Sequence, residues 1–141
     1  MTAKRGFAHF SHGADIGIRA WGPTLAAAYE EAARGMISAV ASLGKIDAKQ
    51  KVSIACEAPD PELLLADWLN AVIYEIDTRD MLFSRFEVVL DGTRLKAALW
   101  GEPIEQTRHE AAVDLKGATY TALSVRQEEN GCWVAECVVD V

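Results

Sequence analysis

The sequence predicts a mixed α+β fold in which antiparallel sheets pack against two helices. Several short segments alternate apolar and polar residues with a period of two, which is typical of half-buried strands. Two longer segments repeat apolar residues every three or four positions, as amphipathic helices do. Strands and helices do not alternate regularly enough along the chain for a doubly wound parallel sheet.

Length and composition suit one globular domain spanning residues 1–141. Half of the residues are apolar and a quarter are charged, proportions that belong to a soluble protein rather than a disordered one. The net charge is −7, and no dense stripe of Lys and Arg is visible. Because nucleic-acid binding needs such a stripe, we expect no tight independent binding to DNA or RNA.

The ends and the cysteines favour the cytoplasm. Lys4 and Arg5 are followed by no apolar run, so the N-terminus does not resemble a secretory signal. No stretch approaches the roughly 20 apolar residues that a membrane span needs. Cys56, Cys132 and Cys137 form no C-x-x-C pair, and we expect them to be buried, reduced thiols that act as small apolar side chains rather than as metal ligands.

The first third of the chain predicts two strands and a helix. Residues 7–10 form a short strand, and residues 15–21 alternate as a second one. Thr24 is a good N-cap, and Gly44 is a natural residue to follow the helix C-terminus. The apolar face of this helix consists of Leu25, Ala28, Tyr29, Ala32, Ala33, Met36, Ile37, Val40 and Leu43.

The next elements are a strand and a second helix. Residues 52–58 alternate, and Asp60 and Pro61 then provide an N-cap and a favourable first helical residue. Asp67 and Asn70 lie off the densest apolar face and are predicted to be solvated. That face consists of Leu64, Leu65, Trp68, Leu69, Val72, Ile73 and Ile76.

The second half of the chain is predicted to be mainly strands. Residues 84–90 and 95–99 alternate around Asp91-Gly92, which is a strong hairpin signal. Residues 100–112 are polar and rich in turn formers, and they predict a long surface loop, a kind of segment that is often functional. A last hairpin of residues 119–127 and 132–141 is predicted around Asn130-Gly131.

Two acidic clusters, one at Asp15 and one at the chain end, contain candidate metal ligands. Asp15 follows a turn of small residues, where an isolated carboxylate either caps the turn or binds a hard cation such as Ca²⁺ or Mg²⁺. Asp140 and the terminal carboxylate of Val141 either clamp a cation or form a solvated terminus. The two groups would supply several oxygens to one ion if their strands are adjacent.

A third cluster is basic. Arg108, His109 and Glu110 lie in the predicted loop and are followed by Lys116 and Tyr120. These residues could bind a phosphate group or a protein partner. The alternative is an ordinary solvated loop.

Seven segments, taken in order from about residue 9 to residue 141, resemble the archease family. The matching segments are 12–17 (HGADIG, family D-H-T-A-D-I-G), 21–25 (WGPTL), 67–70 (DWLN), 82–86 (LFSRF), 101–103 with 108–110 (GEP and RHE), 116–120 (KGATY, family V-K-A-x-T-Y) and 138–141 (VVDV, family V-x-D-I/V).

The resemblance implies a fold of strand–helix–strand–strand modules and a specific function. Archeases assist the GTP-dependent RNA-splicing ligase by promoting guanylylation of its active-site histidine, which allows multiple turnover. They bind a divalent cation, typically Ca²⁺, with Mg²⁺ or Mn²⁺ as alternatives. The implied ligands are Asp15, Asp140 and Val141. Candidates for contact with the partner or for activation are His12, Arg108, His109 and Lys116.

Three positions depart from the family pattern, and two other functions stay open. Ser11 replaces an aspartate, Gly13 replaces a threonine, and Gly117 replaces an alanine. If the family's first carboxylate supports the metal or the activated nucleotide, its replacement by Ser11 predicts weaker metal binding or weaker activation. The alternatives are a metal-dependent phosphohydrolase that uses Asp15 with His12 or His109, and a chaperone-like scaffolding module.

Overall fold

The structure is a computed structural model that describes residues 4–111 and 114–141. It has the predicted α+β architecture, with two antiparallel sheets and two long helices. The strands are β1 (Gly6–His12), β2 (Asp15–Gly22), β3 (Gln50–Glu57), β4 (Met81–Asp91), β5 (Arg94–Pro103), β6 (Gly117–Ala118), β7 (Ser124–Gln127) and β8 (Trp133–Asp140). The helices are α1 (Leu25–Ser38), α2 (Pro61–Arg79) and the four-residue α3 (Gln106–His109), with a 3₁₀ turn at Leu43–Lys45.

The order of the strands places the last strand inside the larger sheet. That sheet runs β1-β2-β8-β6, and β7 also pairs with β8, whereas the smaller sheet runs β3-β5-β4. β8 pairs with β2 along one edge. Along its other edge it pairs first with β7 and then, at its end, with β6. The end of β8 therefore lies between β2 and β6.

Both long helices lie between the two sheets, and their small residues let the layers approach closely. α1 contacts β1, β2 and β8 of the larger sheet and β4 of the smaller one. Its alanines Ala28, Ala32 and Ala33 are fully buried, as the alanine-rich apolar face predicted. On α2, the buried Trp68 donates its indole N–H to the main-chain oxygen of Tyr29 over 2.9 Å, which joins the two helices.

The predicted end of α1 at Gly44 is wrong, because the helix ends at Ser38. The main-chain N–H groups of Ala39, Val40 and Ala41 close the last turn by donating to Met36 and Ile37. Gly44 lies instead in the 3₁₀ turn. The apolar period extends past α1 because Val40, in a turn, and Leu43, in the 3₁₀ turn, still pack against the core.

The predicted surface loop at 100–112 is also wrong in its first part. β5 continues to Pro103, and α3 follows after two residues. The polar sequence is misleading because Glu102 and His109 are buried and bind each other rather than water. Ala112 and Val113 lie outside the described residues.

The last hairpin is confirmed only in its turn and its second strand. The predicted first arm, 119–127, is divided into β7 and a turn in which Ala122 has φ +53°. The two residues of β6 precede that turn and pair with the other end of β8.

The cysteines are free thiols, and the predicted burial is complete only for Cys137. Cys137 is buried, and burial raises its pKa to about 11, whereas Cys56 and Cys132 are half-buried. None of the described helices is both long and apolar enough to cross a membrane.

Replacing Asp60 by alanine is expected to lower the free energy of unfolding by about 1 kcal/mol. Asp60 Oδ1 accepts the Leu63 N–H over 2.8 Å at the start of α2, and alanine offers no acceptor in its place. Urea denaturation measures the difference. The variant Asp60→Asn keeps a capping oxygen and is expected to stay within about 0.5 kcal/mol of the parent; equal losses in both variants would contradict a capping role.

Candidate functional site

The fold brings Asp15 and Asp140 to the same end of the larger sheet. The last pair between β2 and β8 is Ile16 with Val139, and the two aspartates are one residue further along each strand. Adjacent residues of antiparallel strands have Cα atoms about 4.5–5.5 Å apart. Ile16 and Val139 pack towards the core. Since side chains alternate along a strand, the two carboxylates share the opposite face.

Lys116 lies on the other side of Asp140. Gly117 pairs with Asp140, and the Lys116 main-chain N–H donates to the Asp140 carbonyl over 2.8 Å. Val141 follows directly and is half-buried. We call this group of Asp15, Lys116, Asp140 and Val141 the carboxylate end of the larger sheet. The chain positions 15 and 140, which are far apart in sequence, are thus neighbours in the fold.

His12 borders the carboxylate end across the β1–β2 turn. It pairs with Asp15, and Gly13 and Ala14 form the two-residue connection. Gly13 has φ +62°, a conformation that a β-branched residue disfavours. The glycine therefore suits this turn where the family pattern has threonine. Ser11 pairs with Ile16 and lines a cavity of about 390 Å³ that also borders Asp15.

The carboxylate end contains oxygen donors of the type that a hard divalent cation prefers. Asp15 and Asp140 are half-buried, and neither carboxylate forms an ion pair within residues 4–111 and 114–141. Carboxylate and main-chain oxygens are the ligands that Ca²⁺ and Mg²⁺ prefer. Among the described residues, no three His, Cys, Asp or Glu side chains converge on one metal position. The predicted set has only two such side chains, with Val141 supplying main-chain oxygens, and it stays a prediction.

A second polar cluster surrounds Glu102 at the end of β5. Arg108 binds both carboxylate oxygens of Glu102 at 2.7 Å, and the Asp47 main-chain N–H donates to Oε2 at 2.7 Å. His109 Nε2 lies 3.0 Å from the same oxygen. Glu102 is 2% exposed, so all of these donors replace water. The bidentate Arg108 and the other two donors hold the pKa of Glu102 well below its usual range, against the opposing effect of burial.

The hydrogen bonds of His109 define its neutral tautomer. Its Nδ1 accepts the Glu105 main-chain N–H over 2.8 Å, so the ring hydrogen is carried by Nε2 and donated to Glu102. The His109 side chain is completely buried, whereas that of Arg108 is 37% exposed. Both residues thus hold β5, α3 and the segment at Asp47 together. Their role as partner or activation candidates stays a prediction.

The sequence did not predict the structural roles of Glu102 and Asn70. Asn70 is exposed as predicted, but its side chain binds the main chain of Ala118 and so connects α2 to β6. Tyr120, two residues further, is 69% exposed. The family resemblance could have indicated both roles. Its DWLN and GEP segments include Asn70 and Glu102, and neither polar residue belongs to a predicted apolar face.

Comparison with known proteins gives matches over nearly the whole chain. The family model described as the Archease protein family matches residues 7–141. The "Protein archease" of Aeropyrum pernix is 33% identical over 141 residues, covering 96% of this chain and 97% of that protein. The "Protein archease" of Pyrococcus abyssi is 31% identical over 137 residues, covering 94% of this chain and 96% of that protein.

Solved structures with the same fold include two with high coverage. The solution structure of protein 1598 from Methanobacterium thermoautotrophicum has a TM-score of 0.85 and 28% identity, covering 96% of this chain and 99% of that one. A Thermotoga maritima crystal structure, described as an archease and possible chaperone, has a TM-score of 0.65 and 19% identity, covering 94% of each chain. At that identity the second likeness concerns the fold alone.

Proposed function

The chain belongs to the archease family, and on that premise we propose that it is an accessory protein that activates a GTP-dependent RNA-splicing ligase. The proposed action is to promote guanylylation of the ligase and its multiple turnover. The observation that carries the proposal is the meeting of Asp15 and Asp140 beside Lys116, at one exposed end of the larger sheet.

Asp15, Asp140 and Val141 are the proposed ligands of a divalent cation, with Ca²⁺ favoured over Mg²⁺ and Mn²⁺. When bound, such a cation would supply positive charge next to the phosphates of the ligase's nucleotide, where negative charge is redistributed during transfer. The part of this chain is to hold and orient. The two carboxylates would hold the cation. Lys116 is exposed and its main-chain N–H donates to the Asp140 carbonyl, so its side chain would offer an ammonium to the same phosphates.

The acidity of the chain is compatible with this role. A net charge of −7 disfavours independent RNA binding, but an activator needs to contact only the ligase, whose own RNA site must be cationic. Opposite charges on the two proteins would accelerate their encounter. Accordingly, we propose that this chain does not itself bind nucleic acid tightly.

Replacing Asp15 by asparagine is expected to reduce stimulation of the ligase by at least about tenfold, because loss of one ligand or its charge weakens a metal site by that order. The assay mixes this protein with ligase, GTP and RNA fragments bearing 3′-phosphate and 5′-hydroxyl ends, and counts ligations per ligase molecule. Glu129→Gln is the matched control, since Glu129 is an exposed acid in the turn at the opposite end of β8.

Full turnover with Asp15→Asn, in a variant whose thermal unfolding is unchanged, would contradict the proposal. The same experiment separates the alternatives. Hydrolysis of simple phosphoesters by the protein alone, abolished by Asp15→Asn, would indicate a metal-dependent phosphohydrolase. Its candidate partner for Asp15 is His12, because His109 is buried in the Glu102 cluster. Stimulation that survives the variant and needs no GTP would indicate a chaperone-like module.

A further inference from the structure

The side chain of Asn70 acts as a substitute for a strand next to β6. Its Oδ1 accepts the Ala118 main-chain N–H over 2.9 Å, and its Nδ2 donates to the Ala118 carbonyl over 3.3 Å. A single amide thus satisfies both main-chain groups of one residue, as a paired strand would. The amide is exposed, so these bonds do not merely compensate a buried polar group.

β6 depends on such an anchor because it is very short. It has only two residues, which pair with Val139 and Asp140 of β8 on one side. Two residues at a sheet edge have little stability of their own and would open locally in solution. On the other side, the Asn70 amide occupies the position where the next strand would lie. A side chain at position 117 would touch the same amide, since an added Cβ would lie 3.4 Å from Asn70 Oδ1.

The anchor is attached to a rigid element. Trp68, two residues earlier on α2, is fully buried and bonded to the main chain of Tyr29. A second contact ties the segment after β6 to α2: the Val125 N–H donates to Glu62 Oε2 over 3.2 Å, near the start of the helix. The segment from Ala118 to Val125 therefore runs alongside α2 in the opposite direction.

We propose that Asn70 is a positioning residue that fixes Lys116 and Asp140 relative to Asp15. Lys116 immediately precedes β6, and its N–H donates to the carbonyl of Asp140. If β6 loses this anchor and opens from β8, Lys116 moves and the main chain of Asp140 loses its partner. Asn70 acts only through these residues. Its consequence for ligase activation rests on the function proposed above, whereas its effect on the carboxylate end does not.

The test compares Asn70→Ala with Asn130→Ala. Both variants remove an asparagine that binds the main chain, but Asn130 Oδ1 accepts the Cys132 N–H in the turn at the far end of β8. Amide hydrogen exchange is measured at Lys116 and Ala118, Ca²⁺ binding by calorimetry with Ca²⁺ alone, and stability by thermal unfolding. For Asn70→Ala we expect exchange at both amides to accelerate about tenfold and the Kd for Ca²⁺ to rise about tenfold, with an almost unchanged Tm. Asn130→Ala is expected to change none of the three.

Exchange at Lys116 and Ala118 that stays at the wild-type rate in Asn70→Ala would overturn the inference. An unchanged Ca²⁺ affinity despite faster exchange would overturn it as well, because Asp140 would then not depend on β6. If the wild-type protein binds no Ca²⁺, the exchange rates decide alone. Wild-type protein that binds Ca²⁺ without stimulating the ligase would refute the proposed function and leave the inference about Asn70 standing.

Discussion

Replacing Gly101 by alanine is expected to lower the free energy of unfolding by about 3 kcal/mol or more. A Cβ at this position of β5 would collide with the main-chain oxygen of Leu82, and it would lie 2.8 Å from both the Leu82 carbonyl carbon and the Phe83 Cα. All three atoms belong to the backbone of β4, so no side-chain rotation relieves the overlap. Urea denaturation measures the loss.

The close approach at Gly101 follows from a bulge in β4. Phe83 pairs with Gly101 and Arg85 with Trp100, which leaves Ser84 as an extra residue in the strand. The Ser84 hydroxyl donates to the Ile46 carbonyl over 2.9 Å and fixes the bulge to the neighbouring segment. Movement of β4 away from β5 would therefore break this bond as well.

Gly44→Ala is the matched control for Gly101→Ala. Gly44 is exposed in the 3₁₀ turn and does not have a positive φ, and a Cβ added to it would meet no heavy atom within 4 Å. Its replacement is expected to change stability by less than about 1 kcal/mol, with a gain favoured because alanine restricts the unfolded chain. Similar losses at the two positions would show that the backbone contact at Leu82 is not the cause.

The elements that the sequence predicted well are those whose residues follow a local rule. Thr24 and Asp60 are side-chain caps, and their hydroxyl and carboxylate oxygens accept the N–H three residues later. Gly92 and Gly131 have positive φ in tight turns, as their dipeptides indicated. Each of these predictions depends only on a few residues that are neighbours in the sequence, so contacts with distant segments do not alter it.

The elements that the sequence predicted poorly depend on distant partners. Ser38 ends α1 although the apolar period continues, since Val40 meets the core from a turn. Glu102 resembles a loop residue in the sequence because its charge is compensated by Arg108 and by Asp47, 55 residues away in the chain. A polar residue can be predicted to be solvated from the sequence pattern only where no distant residue folds against it.

The candidate site likewise combines features that the sequence predicts with features that depend on distant contacts. Residue chemistry and the family resemblance both indicate Asp15 and Asp140. Their adjacency, however, depends on the pairing of β2 with β8, which no local pattern encodes. The sequence predicts only that Asn70 is solvated, because its partner, Ala118, lies 48 residues further along the chain. Main-chain pairing between distant segments is what sequence reasoning could not supply.

Replacing Glu102 by glutamine is expected to lower the midpoint of thermal unfolding by about 10 °C, because Arg108 loses its bidentate partner in a site that excludes water. Glutamine has nearly the same shape but presents an amide nitrogen to a cluster of donors. Arg108, His109 and the Asp47 N–H then compete for one acceptor oxygen. Differential scanning calorimetry at neutral pH measures the shift.

The control for Glu102→Gln is Glu87→Gln on the exposed face of β4. Glu87 also binds an arginine, Arg85, at 2.8 Å, but both side chains are more than half exposed. Exposed ion pairs contribute little, and we expect a shift below about 3 °C. A shift in Glu102→Gln as small as that of the control would mean that the Glu102 cluster does not stabilise the fold.

The same cluster predicts a pH dependence with a defined sign. Arg108 holds the pKa of Glu102 below its usual range in the folded protein, whereas in the unfolded chain the carboxyl titrates near its ordinary value of about 4.3. Its stabilising effect is therefore complete above about pH 4.3 and decreases as the pH falls towards the folded pKa. The difference in Tm between the wild type and Glu102→Gln is expected to be constant from about pH 8 to pH 5 and to shrink below about pH 4. A difference that grows as the pH falls from about 5 to 3 would contradict the ionised state of Glu102, since a carboxyl that is protonated in the folded protein gives that sign.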